Sequence, residues 1–167
     1  RYVQGGPGSA RQAAYDLKLF SREAVDLLEW LRRTNESREG HPRLHVAGID
    51  PNPPAPAARV ALEALARADP AGASALRADL DALTDERTQF DLPGLSDERK
   101  AAVRRGAESL RIALQARERE RVAKPGEDWG LAVQCARNVE RSVEMQLAPG
   151  AASAAARDLA MAENAAW

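Results

Sequence analysis

Two places in this sequence combine residue types that could do chemistry with a spacing that could bring them to one cleft. The first is Gly48-Ile49-Asp50, at the carboxyl end of a short apolar run. Ligands of α/β proteins collect outside the carboxyl ends of strands, and an aspartate there can orient a base or hold a substrate hydroxyl. The bland alternative is a loop-capping aspartate ahead of Pro51. The second is Arg157-Asp158 through Glu163-Asn164, near the end of the chain. Arg157, Met161 and Asn164 fall at i, i+4 and i+7, so they share one face of a helix. An arginine and an amide beside a methionine could line a polar cleft; the competing reading is an interhelix salt bridge with a partly exposed polar face. Asp50, Arg157, Asp158 and Asn164 are therefore the candidate substrate-binding residues.

No catalytic residue is identified within the chain. His41 lies in a polar loop and reads as a surface residue, while His45 sits in the apolar run and reads as a hydrogen-bonded core histidine or a cleft residue. Four positions apart across Pro42, the two lack the helical His-x-x-x-His geometry of a metal site. Cys135 is the single cysteine, so it can build neither an internal disulfide nor a thiolate metal site. In a helical pattern it reads as a small buried hydrophobe. There is no nucleophile elbow and no phosphate-binding loop, since Gly5-Gly6-Pro7-Gly8 is not followed by Lys-Ser or Lys-Thr. Neither a metal nor a cofactor is expected.

The 167 residues carry a formal net charge of -1 and no basic block. Non-specific nucleic-acid binding needs a basic surface that displaces counterions, so that role is disfavoured. No apolar run approaches the roughly 20 residues of a membrane span. The compartment, cytoplasmic or secreted, is left open.

Helices must position these residues. Ser9 and Ser21 can cap two helices, the second over residues 22–34, with Ala24, Leu27, Leu28 and Leu31 as its stripe, Val25 and Trp30 widening it, and a polar loop over residues 35–42. Residues 43–50, between Pro42 and Pro51, read as one buried strand. A strand needs partners for its backbone groups, and no second convincing strand is present. Residues 52–56 form a proline-rich connector. Beyond it, Val60, Leu62 and Leu65 mark one helix, and Leu76, Leu80 and Leu83 another. Ser96 caps a long third, with Val103, Leu110 and Leu114 inside and a solvated charged run at residues 117–121, stopped by Pro125-Gly126. Trp129, Ala132, Val133, Ala136, Val143 and Leu147 mark the next, from about Asp128. A last helix follows Pro149-Gly150 and runs to Trp167.

The expected fold is thus mostly α: a helix pair, one strand, then a helical bundle. The sequence opens on Arg1 rather than Met and stops at Trp167 in the middle of an apolar, helix-like run, so it reads as cut from a larger α/β hydrolase-like protein. Residues 1–51 would belong to its core, 52–148 to a helical insertion or cap, and 149–167 to a helix returning to the core.

The segment Glu23-Ala24-Val25-Asp26-Leu27-Leu28-Glu29-Trp30-Leu31-Arg32, followed by Asn35 and then by Val46-Ala47-Gly48-Ile49-Asp50, resembles the erythromycin esterase family. Tyr2-Val3-Gln4-Gly5 is similar to the family's Y-V-x-G element. Arg157-Asp158-Leu159-Ala160-Met161-Ala162-Glu163-Asn164-Ala165-Ala166-Trp167 is similar to its R-D-x-x-M-A-E-N-x-x-W element. The motifs occur in the family's order and bracket the chain, while residues 52–148 carry no such signature. Thr34 replaces a usual tyrosine, and Phe20-Ser21 a common Trp-Thr. The resemblance implies a hydrolase in which a histidine activates water against an ester or lactone, without a metal. Its substrate would be a small molecule, with macrolide inactivation in response to an antibiotic as one role. The family's G-E-x-T-H-G and H-N-x-H motifs are absent, so His41 and His45 take neither role, and the chain would supply a cleft wall. Two alternatives stand beside this: a family member linked to polysaccharide biosynthesis, and a non-enzymatic helical binding module.

Overall fold

The computed structural model describes residues 2–17, 21–38, 41–44, 46, 50–85, 87–120 and 129–166. Among the described residues there are seven α-helices: α1 (Ala10–Asp16), α2 (Arg22–Glu36), α3 (Pro54–Ala68), α4 (Pro70–Thr84), α5 (Asp97–Arg119), α6 (Trp129–Leu147) and α7 (Ala151–Ala166). Short 3-10 turns cover Tyr2–Gln4 and Leu92–Gly94. The chain divides into two compact units, Arg1–Gly48 and Ile49–Trp167.

In the first unit, Ser9 and Ser21 cap α1 and α2 as expected, their hydroxyls accepting from the N–H groups of Gln12 and Ala24 at 3.2 Å each. These bonds satisfy backbone donors that a helix start leaves open. The core gathers Val3, Ala10, Ala14, Leu28 and Leu31. The buried stripe of α2 is narrower than the sequence suggests: Leu28, Leu31 and Asn35 face inward, while Leu27 and Trp30 are about half exposed at 52% and 50%. Helix α2 also runs two residues past Thr34. Asn35, expected to open a polar loop, is instead a buried helical residue, 3% exposed.

That asparagine ties the unit together. Its Nδ2 donates to the carbonyls of Val3 (2.7 Å) and Leu44 (2.9 Å), and its Oδ1 accepts from the Leu44 N–H at 2.7 Å. Gln4 Nε2 donates to the same Leu44 carbonyl at 2.7 Å. The carboxamide therefore meets both backbone groups of Leu44, as a neighbouring strand would. This is the physical reason that Leu44 needs no ladder partner. No strand occurs among the described residues, and positions 43, 44 and 46 of the expected one are irregular. His45 and residues 47–49 lie outside the described residues. So do Phe20, Arg121, the Pro125-Gly126 stop, Asp128 and Trp167. Arg32 adds a clamp: Nη1 donates to the Gly6 carbonyl at 2.9 Å, and the guanidinium lies 4.8 Å over the Tyr2 ring.

In the second unit, α3 begins inside the expected proline connector. Proline is tolerated in a first helical turn, where its missing N–H has no intrahelical partner. The Ala55 N–H is satisfied by the buried Gln89, whose Oε1 accepts at 3.2 Å. Asp69 ends α3 and caps α4, accepting from the Gly72 N–H at 2.8 Å. Ser96 caps α5 as expected. Gly150, with φ at +48°, makes the turn from α6 into α7, a left-handed conformation that glycine adopts without a Cβ penalty.

The core of this unit is one apolar seam shared by α3, α4, α5 and α6, built on Leu65, Leu80, Leu110, Leu114, Val139 and Val143. Small residues bring the helices close. A Cβ added at Gly106 of α5 would meet the Cβ of Asp79 on α4 at 2.8 Å and Leu80 at 3.3 Å. Val60 and Leu76 lie on α3 and α4 as expected; Leu76 packs partly buried against the core, while Val60 is 41% exposed.

Two outcomes follow for equilibrium denaturation. Asn35→Leu leaves the Val3 carbonyl and the Leu44 N–H without this partner and should cost about 2–3 kcal/mol; an unchanged denaturation midpoint would contradict the role assigned to Asn35. Gly106→Ala gains about 1 kcal/mol of helix propensity but overpacks α4 by about 1–3 kcal/mol. A net fall in the midpoint is expected, and a rise would show that α4 and α5 separate freely.

Candidate functional site

Two of the four candidate residues meet. Asp50 and Arg157, separated by 107 positions, form an ion pair in which Nη2 donates to Oδ2 and Nε donates to Oδ1 at 3.4 Å. A planar guanidinium facing both carboxylate oxygens is the geometry arginine provides and lysine cannot. The Asp50 side chain is 32% exposed and that of Arg157 51%, so the pair opens to solvent and is worth at most about 1 kcal/mol of stability.

Asp50 is held from behind. Its Oδ1 also accepts from the Asn52 N–H at 3.1 Å, an Asx turn, so capping its own loop and pairing with arginine occur together. Asn52 is fixed in turn: its Oδ1 accepts from the Ser142 hydroxyl of α6 at 2.9 Å. The Ser142 oxygen accepts from Gln146 Nε2 at 3.2 Å, and the same Nε2 donates to the Gln89 carbonyl at 2.8 Å. Pro51, Ser142 and Gln89 are buried. Burial alone would raise the Asp50 pKa. The hydrogen bonds from Arg157 and the Asn52 N–H, with the guanidinium charge, outweigh it and hold the carboxyl below the usual aspartate range.

Arg157 is placed by α7, which is fastened to α6 at several levels. The Ser153 hydroxyl donates to the Met145 carbonyl at 2.8 Å, Ala160 is fully buried, and Arg141 of α6 grips both oxygens of Glu163 at 2.8 Å.

The other two candidates lie elsewhere. Asn164 does not join Arg157. Two helical turns separate them, about 10 Å along the axis, and Asn164 accepts from Gln134 Nε2 of α6 at 2.6 Å. Asp158 is exposed and makes no hydrogen bond or ion pair among the described residues; its charge adds only a minor pull on Arg157. His41 is exposed in its loop, and Cys135 is half-buried against the core. Among the described residues no group of three His, Cys, Asp or Glu side chains is placed so that it could hold a metal ion, and no helix there is long and apolar enough to cross a membrane.

Sequence reasoning missed the residues behind Asp50. A signal was present: Gln134, Asn138, Ser142 and Gln146 recur every fourth position on a helix whose other inward residues are apolar. Polar groups repeated along a buried face need partners, and Asn52 and Gln89 supply two of them.

The class of protein is now defined. A family model for erythromycin esterase matches residues 1–167, the whole chain. The chain belongs to the erythromycin esterase family, and so to the esterase-like hydrolases at the level of the family. Comparison with curated proteins and with solved structures gives no match.

The depressed Asp50 pKa has a sign that can be checked. Its stabilisation is present above the unfolded value of about 3.9 and is lost as pH falls through the lower folded value. Between pH 5 and 3, Asp50→Asn should therefore lose less stability than the native chain; identical pH profiles would remove the pair from the acid response.

Proposed function

We propose that this chain is the helical part of a hydrolase that opens an ester or lactone bond, and that Arg157, held by Asp50, meets the substrate at the cleft wall. The observation that carries the reading is the Asp50–Arg157 pair. It joins the residue that ends the G-x-D motif to the residue that begins the R-D-x-x-M-A-E-N motif, so two elements of the family pattern converge on one solvent-facing guanidinium.

Two of the arginine's donors face Asp50, and its other N–H groups are left for a ligand. Donors preset toward a carbonyl oxygen stabilise the charge that develops when water attacks. Asp50 acts through Arg157 as a positioning residue: it fixes the plane of the fork. The base that activates water is a histidine outside residues 1–167, in keeping with the motif order. In this reading residues 52–148 form a cap, and residues 149–167 return Arg157 to Asp50. Macrolide lactones are the first substrates to assay. Acylated sugars represent the reading linked to polysaccharide biosynthesis.

In the full-length protein, Arg157→Ala should lower kcat/KM toward its ester or lactone by about 10²-fold or more, the scale of losing one oxyanion donor. Arg157→Lys should restore little, because a point charge does not reproduce the fork. The melting temperature should hardly move, as an exposed pair contributes at most about 1 kcal/mol. Unchanged turnover would rule out a cleft role, and an insoluble variant would mark the pair as a structural salt bridge.

A further inference from the structure

A groove of about 790 Å³ runs between α5, α6 and α7, lined by side chains distinct from the Asp50–Arg157 pair. Among the described residues its lining is made of arginine, glutamate and carboxamide side chains with Ala166, and the aliphatic stems of those long side chains supply its apolar surface. Its charges are mostly spoken for. Arg111 of α5 is bound to Glu140 at 2.8 Å and to Gln115 at 2.9 Å. Arg141 takes Glu144 at 2.7 Å and both oxygens of Glu163 at 2.8 Å. The third guanidinium, Arg137, is exposed and makes no ion pair or hydrogen bond among the described residues. All three glutamates of the groove are engaged by Arg111 and Arg141, so Arg137 is the guanidinium there with no carboxylate in contact among the described residues and can meet an incoming anion.

One turn away on the same helix stands Gln134, 6% exposed and part of the groove lining. Its Nε2 is committed to Asn164 at 2.6 Å, while its Oε1 is buried and has no donor among the described residues. A buried acceptor left unsatisfied costs about 1–3 kcal/mol, and a ligand hydroxyl would relieve it. Residues three apart on a helix are surface neighbours, with Cβ atoms about 5–6 Å apart, so one small molecule can reach both.

We propose that this groove binds a hydroxylated carboxylate of the sugar-acid class, its carboxylate on Arg137 and a hydroxyl donating to Gln134 Oε1. The assignment rests on the groove's own side chains and is independent of the ester-hydrolysis reading.

Titration of the whole chain with D-glucuronate, D-glucose and acetate, followed by calorimetry and NMR shifts of α6 resonances, tests it. D-glucuronate should bind at least 10-fold more tightly than either D-glucose or acetate. Arg137→Gln and Gln134→Leu should each weaken D-glucuronate at least 10-fold, and Arg157→Ala should leave it unchanged. Because Arg137 is exposed, its variant should keep the native melting temperature; if it does not, Arg137→Lys must retain binding. No D-glucuronate binding, binding that survives Arg137→Gln, or acetate binding as tightly as D-glucuronate would each overturn the proposal.

Discussion

Helix α6 has neighbours on several sides, and that constraint shapes the second unit. It packs against α3, α5 and α7 and against the 3-10 turn at Leu92–Gly94. A helix with one buried face can divide cleanly into apolar and polar halves; one surrounded this way must put polar groups where other elements need them. Val133, Val139 and Val143 serve the apolar seam. Ser142 reaches Asn52, Gln146 reaches Gln89, Arg141 reaches Glu163 and Gln134 reaches Asn164. Through Ser142 and Asn52, α6 sets the loop that carries Asp50. Through Arg141 and the Met145 carbonyl it sets α7, which carries Arg157. The ion pair at the candidate site is thus the exposed end of two chains of contacts that both begin on one helix.

The family's motif residues have physical work to do in this chain, and much of it is mutual. Gln4 and Asn35 converge on Leu44, and the same Asn35 holds the Val3 carbonyl. Asp50, which closes the G-x-D motif, meets Arg157, which opens the last one. Residues spaced along the sequence as separate signatures are partners in space. Between them, α3, α4 and most of α5 are held by size and apolarity: Ala58, Ala61, Leu80, Val103 and Gly106. Many sequences satisfy packing of that kind, so this stretch carries no motif to read.

The helices were legible because their signals are local. Ser9, Ser21 and Ser96 cap where their types and positions indicated, and the stripe of α6 over Ala132, Val133, Ala136 and Val143 is the buried one. The reading failed where a long-range contact overrides a local preference. Asn35 looks like a helix stop, yet it stays helical because its carboxamide is fully engaged by Val3 and Leu44. Leu44 looks like a strand residue, yet the same contacts satisfy its backbone. Asp50 and Arg157 could each be singled out, from a strand-end argument and a shared helical face, but their pairing across 107 positions has no local signature. Spacing alone puts Asn164 on a face with Arg157, whereas its attachment to Gln134 depends on how α7 lies along α6.

The central claim is that Asp50 acts on the substrate only through Arg157. A double-mutant cycle on kcat/KM for ester or lactone hydrolysis by the protein, with Asp50→Asn, Arg157→Ala and the double variant, addresses it most directly. If Asp50 serves to orient the guanidinium, the double variant should be no slower than Arg157→Ala alone. Losses that multiply independently would contradict the account and give Asp50 a role of its own.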